Sequence, residues 1–396
     1  MANYSTVSNP KSESGTSTAP WTKILWILWI VLLVAGGFGV AQRLMHGHLP
    51  TGYGSYVPWG LWIGLYFLGI GISGGAFIIG AVGYVLGAPG FNKLSELRMA
   101  IVLSIAAILP SFLGVALDLG HTERLLSILI FPKFTSMMAF NAWMYNVFIV
   151  VALLAWLLSF RARSVWLKPL LVIGAFLSIL FPSQSGVFFE AVRANPFWHS
   201  PILSVLFLAS AIALGAAGLI LVRRMLFPDR SVEKDDQESA LLTLRVIAVV
   251  GIVVYLAFEF AEFSIAFWNP GPHSPNVLFL LVGDYWPVFW ILHILLGALI
   301  PLILLCGPSK AGWSLSAFLV LVGFAAARMS ILVPGQVAGQ IPGLQQAFQD
   351  VRLTYTYHPT STEYLVGCFM VALGMAIFYV GIRLSKTTAA GVEQKA

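Results

Sequence analysis

Ten long apolar runs decide what this chain can fold into. They cover about residues 23–44, 58–87, 99–119, 138–160, 167–182, 200–226, 241–267, 285–306, 313–333 and 364–384. Most are long enough to cross a bilayer; the fifth is short and stops at Pro182. A segment in lipid must satisfy its backbone polar groups internally, and none of these runs alternates like a barrel strand, so each reads as a helix. Of the 396 residues, 59% are hydrophobic and 10% charged, more apolar surface than a soluble core of this size needs. The expectation is an all-α integral membrane protein of about ten transmembrane helices.

Ten crossings return both termini to one side. Sixteen of the 22 Lys and Arg fall on that side and six on the other. The positive-inside rule then puts both termini in the cytoplasm, which predicts a multi-pass protein of the bacterial cytoplasmic (inner) membrane. The same asymmetry accounts for the net charge of +6 without nucleic acid. Residues 1–22, rich in Ser, Thr, Asn and Pro, read as a disordered cytoplasmic tail. The run after it is too long for a signal-peptide core and reads as a retained span. The outer loops 120–137, 183–199, 268–284 and 334–363 are rich in Pro, Gly and aromatics and poor in charge. They suit a docking platform or a simple cap over the bundle.

Two echoes suggest a duplication. Phe67–Ala76 is matched by Phe207–Ala216, and Ser178–Gln184 by Ser330–Gln336, in the same order. Spans two to five would then repeat as spans six to nine. Each unit has an even number of spans, so the repeats are parallel. This gives two parallel-repeat four-helix bundles, residues 58–199 and 200–362. Flanking helix one with its loop (23–57) and flanking helix ten with a tail (363–396) complete the chain. The uncharged, glycine-studded stretch Tyr53–Gly83 and its echo in span six would each form the close-packed seam of their own bundle.

Ionisable side chains within a bilayer are costly and mark functional candidates. Most lie toward the outer face: Asp118, followed by His121, Glu123 and Arg124; Glu259 and Glu262 in span seven; Arg328 in span nine; Arg43 and Glu363 at span ends. Each has a structural alternative, such as Asp118 pairing with Arg124, or Arg328 with a span-seven glutamate. Together they suit a quinone, which needs an apolar slot for its tail and polar groups for carbonyl and hydroxyl protons. His293 is the deepest histidine, and the other six lie in or beside outer loops, so a bis-His haem lacks its second ligand. Cys306 and Cys368 form no C-x-x-C, which argues against an iron–sulfur cluster or covalent haem in this chain. No tight His/Asp/Glu cluster suggests a metal. No phosphate-binding glycine loop or nucleophile elbow is visible, against a nucleotide-driven or hydrolytic enzyme.

The sequence resembles the NrfD-like, or polysulfide reductase membrane-subunit, family. It looks closest to the ten-helix branch that includes the membrane subunits of hydrogenase 2, of the sulfite-reductase-linked Dsr and Hmc complexes and of alternative complex III. The residues that carry this are PWGLWIGLYFLGIGISGGAF, Asp118-Leu119-Gly120, PSQSG followed by NPFWHSP, Glu262, Arg328 and YHPTSTE. The resemblance implies two four-helix bundles with two outer helices and no redox cofactor of the chain's own. It also implies a quinone (menaquinone or ubiquinone) near the outer face, with a ferredoxin-like four-cluster iron–sulfur subunit and a catalytic subunit docked beyond. Carried over by position, Asp118 matches an acid of span three, Glu262 and Arg328 match residues of the second bundle, and Asn141, Trp143 and Tyr145 lie beside the quinone pocket. Relatives usually have Arg directly after Asp-x-Gly, where this chain has His121. Some carry an acid where it has His293, so proton handling differs.

The leading expectation is a quinone-interacting subunit of a respiratory oxidoreductase complex. Asp118, His121 and Arg124 would handle protons. Asn141 and Tyr145 would line the pocket, and Tyr56 and Trp59 its rim, beside Asp118. Glu259, Glu262, His293 and Arg328 would form a second polar cluster or proton path. The alternatives are an ion-translocating or purely anchoring subunit without a working quinone site, and a secondary transporter.

Overall fold

The computed structural model describes residues 20–161, 164–226, 234–337 and 355–393, with isolated positions at 343, 347, 350 and 353. Nearly all of the expected N-terminal tail lies outside them, as do residues 227–233 and part of the 334–363 loop, including Arg352. Ten helices long and apolar enough to cross a membrane follow one another. They are α1 (Pro20–His46), α2 (Leu61–Leu86), α3 (Leu94–Asp118), α4 (Met137–Leu158) and α5 (Leu167–Glu190). Then come α6 (Ile202–Leu221), α7 (Lys234–Trp268), α8 (Pro287–Cys306), α9 (Lys310–Leu332) and α10 (Ser361–Glu393). The described residues contain no strand. The chain is a multi-pass membrane protein.

Several boundaries differ from the sequence reading: α3 and α7 begin earlier, at Leu94 and Lys234, and α10 runs on to Glu393. The fifth helix does not end at Pro182 but carries it inside and runs on to Glu190. Proline removes one helical hydrogen bond and crowds the carbonyl four residues back, here that of Ser178. Both the ring and that carbonyl lean on Gly74 of α2, where the missing side chain leaves room for them. Tertiary packing thus shelters the irregular turn, as membrane helices allow.

The centre of the molecule is α2. It packs on α3 and α5 of its own unit and on α6 and α9 of the other. The glycine-rich helices therefore do more than seal their own bundles: α2 and α6 seal against each other. Phe67 meets Phe207, ring centroids 5.4 Å apart, and the backbones touch where Gly75 faces Ala211 and Gly215. Phe67 and Phe207, like Gly75 and Gly215, stand 140 positions apart, the spacing of the first sequence echo. Residues matched by the first sequence echo thus meet each other across this contact. The packing of α5 on α6 and of α9 on α2 follows the same exchange. Apolar tails outside offer the same attraction as apolar side chains inside, so close backbone contact is what holds such helices together.

The flanking pair is not peripheral. α1 packs along α10, and α10 packs along α3, with Gly36 and Gly39 letting α1 approach the α10 backbone closely. This fixes the α1–α2 loop over the end of α3.

A Cβ on Gly75 would collide with the Ala211 carbonyl, whereas nothing lies within 4 Å of one on Gly37. Gly75→Val is expected to destabilise the protein by roughly 2 kcal/mol or more through overpacking. Gly37→Val should be close to neutral, with thermal unfolding in detergent as the readout.

Candidate functional site

The end of α3 opposite the chain termini is unusual because its polar groups are covered yet incompletely bonded. Arg43, buried near the end of α1, donates to the carbonyls of Leu117 (2.6 Å) and Leu119 (2.8 Å). A cation at a helix C-terminus satisfies orphan carbonyls and complements the dipole. It also holds the α3 terminus, and with it Asp118, against the α1–α2 loop.

That loop contributes His48 and Tyr53. Their rings lie 5.5 Å apart, and both approach Trp62 of α2, at 6.4 and 5.6 Å. Tyr53 stacks on Tyr357 at 6.1 Å. The Tyr53 hydroxyl lies beside the Asp118 carboxylate, and the His48 ring lies against the backbone of Leu117 and Asp118. Yet His48 Nε2, the Tyr53 hydroxyl and Asp118 Oδ1 are all buried atoms without a hydrogen-bond partner in the structure. The Tyr53 hydroxyl and the Asp118 carboxyl stand close enough to engage each other, so a polar molecule entering beside His48 can compete for both.

A second set of bonds makes this wall rigid. The Glu363 carboxylate at the start of α10 accepts from the backbone N–H of Gly52 (2.8 Å) and from the Tyr357 hydroxyl. That hydroxyl accepts in turn from Leu61 N–H (2.7 Å), and Trp62 Nε1 donates to the Glu363 carbonyl (3.1 Å). The YHPTSTE segment is therefore a clamp. It ties the α1–α2 loop and the start of α2 to α10.

Burial, then Asp118, Glu363 and Tyr357, push the Tyr53 phenol well above its usual range. Burial, then Arg43, lowers the His48 pKa below its ordinary 6.5. At pH 7 the site therefore offers a neutral imidazole and a neutral phenol beside a carboxyl group. Because the folded pKa of His48 lies below the unfolded one, protonating it costs native stability. That loss sets in only as pH falls below about 6.5.

The other expected residues are placed differently. His121 and Arg124 are exposed, and His121 pairs with the exposed Glu123 at 2.8 Å. Arg43 occupies the position expected for Arg124, because α1 covers the α3 terminus and the loop after it turns outward. Trp59 stacks against Trp198 (5.9 Å) and lies tilted to Phe188 (5.7 Å), and Gln336 binds both its N–H and its carbonyl. Tyr56 stacks on Tyr355 at 4.0 Å. Asn141 and Tyr145 lie inside the first unit. Tyr145 shares a hydrogen bond with Ser185 (3.1 Å) and faces Tyr66 and Phe112. Asn141 Oδ1 is buried without a partner, as is Gln184 Oε1. Phe112 and Asp118 are six residues apart on α3, so they point about 120° apart around the helix.

The second unit holds a separate polar network. His293 Nε2 meets the Glu259 carboxylate at 2.9 Å, Tyr255 donates to it (2.9 Å), and His293 Nδ1 faces the Gly323 carbonyl (3.3 Å). Both ring nitrogens of His293 are thus engaged by protein groups. Gly297 and Gly323 allow this by letting α8 and α9 touch, and His293 sits in a π-helical stretch of α8. Arg328 donates to Ser210 and stacks over Phe207 at 4.0 Å, while its Nε and NH1 have no partner. It makes no ion pair among the described residues, although Tyr255 and Glu259 of α7 lie within electrostatic range. Glu262 stands apart from this network and accepts from Ser200 (2.6 Å).

Sequence reasoning missed His48, Tyr53 and Tyr357 as site residues. The available signal was the dense polar and aromatic content of the short loop HGHLPTGYGSY between two apolar spans. Among the described residues no group of three or more His, Cys, Asp or Glu could hold a metal ion.

Comparison with known proteins agrees with this architecture. The chain is 25% identical to a subunit of the selenate reductase of Mesobacillus selenatarsenatis, over 91% of this chain and 93% of that protein. It is 25% identical to the Hdr-like menaquinol oxidoreductase integral membrane subunit of Archaeoglobus fulgidus, over 90% and 92%. Protein NrfD of Escherichia coli is 24% identical over 70% of this chain and 95% of its own length. The family profile "Polysulphide reductase, NrfD" matches residues 51–339, nearly three quarters of the sequence, and the chain therefore belongs to the NrfD polysulphide reductase family.

Proposed function

We propose that this chain is the quinone-reactive membrane subunit of a respiratory oxidoreductase complex in the bacterial inner membrane, with both termini in the cytoplasm. It exchanges electrons between membrane quinone and an iron–sulfur subunit docked on the face opposite the termini, beyond which a catalytic subunit acts on the terminal substrate. One observation carries the reading: His48, Tyr53 and Asp118 converge beside Trp62 and Tyr357, with His48 Nε2 buried and unpartnered and Tyr53 and Asp118 engaging little but each other. A quinone head has the complementary pattern, two carbonyls or hydroxyls on an apolar ring. The name of the Archaeoglobus relative, a menaquinol oxidoreductase subunit, supports the same class.

Bound there, a quinone supplies two-electron, two-proton chemistry. His48 and Tyr53 can donate hydrogen bonds to its carbonyls. Asp118 can accept a hydroxyl proton as quinol is oxidised and return it in the opposite direction. Arg43 fixes the α3 end without using its charge in a direct ion pair. Exposed Leu44, Met45 and Leu49 next to the site offer an apolar surface for the isoprenoid tail.

A second role is favoured by the Tyr255–Glu259–His293 network, whose bonded acid and base sit beside the incompletely satisfied Arg328. In that role the protein couples electron transfer to proton movement through this network.

Asp118→Asn keeps the shape and removes the proton acceptor. It is expected to lower quinone-dependent turnover of the purified complex about a hundredfold or more, leaving dye-linked activity of the partner subunits intact. Unchanged quinone turnover would remove Asp118 from the mechanism. For the second role, Glu259→Gln in proteoliposomes should lower the protons moved per electron while quinone turnover persists. An unaltered ratio would reject proton coupling through this network.

A further inference from the structure

The segment between α3 and α4, on the face opposite the termini, is apolar where a loop in water would be polar. Its centre reads Leu125-Leu126-Ser127-Ile128-Leu129-Ile130-Phe131. It forms a tight turn over Thr122–Arg124 and a single helical turn over Ser127–Ile130, and neither contains a buried residue. Phe131 is 80% exposed, and Leu126, Ile130 and Phe134 are exposed with it. The helical turn packs against α4. Two exposed cations bracket the apolar run, Arg124 before it and Lys133 after it.

We propose that this segment is a membrane-surface contact: it lies in the headgroup layer opposite the termini, with Leu126, Ile130, Phe131 and Phe134 set among lipid tails. A contiguous exposed apolar run marks a contact surface rather than one left to water. Continuity with α4 selects lipid over a protein partner. Trp143, Val147, Val150, Leu154 and Leu157 are exposed at alternating spacings of four and three, one stripe along a helix long enough to cross the membrane. In a bilayer that stripe faces lipid. Phe134 meets its first member, Trp143, with ring centroids 6.1 Å apart. The segment therefore prolongs the lipid-facing stripe of α4 into the interface, the depth that aromatic side chains favour. The flanking cations suit the same place, because their long stems let the charged ends reach lipid phosphates while the apolar side chains dip below. Seated there, the segment fixes the depth of the α3 terminus, and with it Asp118, at the membrane boundary.

The full-length chain, with Cys306→Ser and Cys368→Ser, would carry one fluorescent label at Phe131→Cys or, at the other end of the run, at Leu126→Cys. In lipid nanodiscs, quenching by phosphatidylcholine brominated on its acyl chains would be compared with quenching by aqueous iodide. A label at Val150→Cys, on the α4 stripe, gives the lipid reference. One at Glu238→Cys, exposed on the side of the termini, gives the aqueous reference. The expected result is quenching of both loop labels by the brominated lipid, with most of the iodide quenching seen at Glu238→Cys lost. The pattern should be the same in the isolated chain and in the intact complex. Iodide quenching equal to that at Glu238→Cys in the isolated chain would overturn the proposal. If that quenching then vanished in the complex, the segment would be a protein-docking surface instead. Protection from both quenchers in the isolated chain would also overturn it, because another part of the chain would then cover the segment.

Discussion

The rest of the structure depends on the backbone contact between α2 and α6. In lipid there is no hydrophobic gain from bringing two apolar helices together, so contact must be close to be favourable. Gly75 and Gly215 make it close, and Phe67 against Phe207 extends it by about two turns. Because equivalent positions of the two repeats meet there, the seam relates one unit to the other. α2 is then surrounded by protein, and its Trp62 end is held in place under the α1–α2 loop.

That fixed end makes a polar site affordable at the membrane boundary. Glu363 and Tyr357 consume the free backbone N–H groups of Gly52 and Leu61, and Arg43 consumes the terminal carbonyls of α3. His48, Tyr53 and Asp118, which the clamp leaves over, lie on two neighbouring segments, the α1–α2 loop and the end of α3. The repeat itself does not reproduce this arrangement. Gln336 is saturated by the Trp59 backbone, whereas the matching Gln184 keeps a buried, unpartnered oxygen.

The helical architecture was legible because apolar length and the absence of charge are properties of single segments. All ten spans lie where the hydropathy pattern puts them, and the family followed from ordered motifs. The course of α5 past Pro182 was not legible, because only the facing Gly74 makes a mid-helix proline harmless. The site was half legible. An intramembrane acid such as Asp118 announces itself by cost alone, whereas His48 and Tyr53 look like ordinary loop residues until α10 folds the loop over α3. His121 and Arg124 were attractive because they adjoin Asp118 in sequence, but the chain turns outward after Leu119. Adjacency in sequence does not survive the end of a helix.

The central claim is the location of the quinone head, and photoaffinity labelling addresses it without relying on any variant. An azidoquinone would be bound to the intact complex, illuminated, and the labelled peptides mapped, with excess unlabelled quinone as competitor. The account predicts competed labelling within residues 43–62 and at the end of α3 around Asp118. Competed labelling confined to the interior of the first unit, around Asn141 and Tyr145, would contradict it.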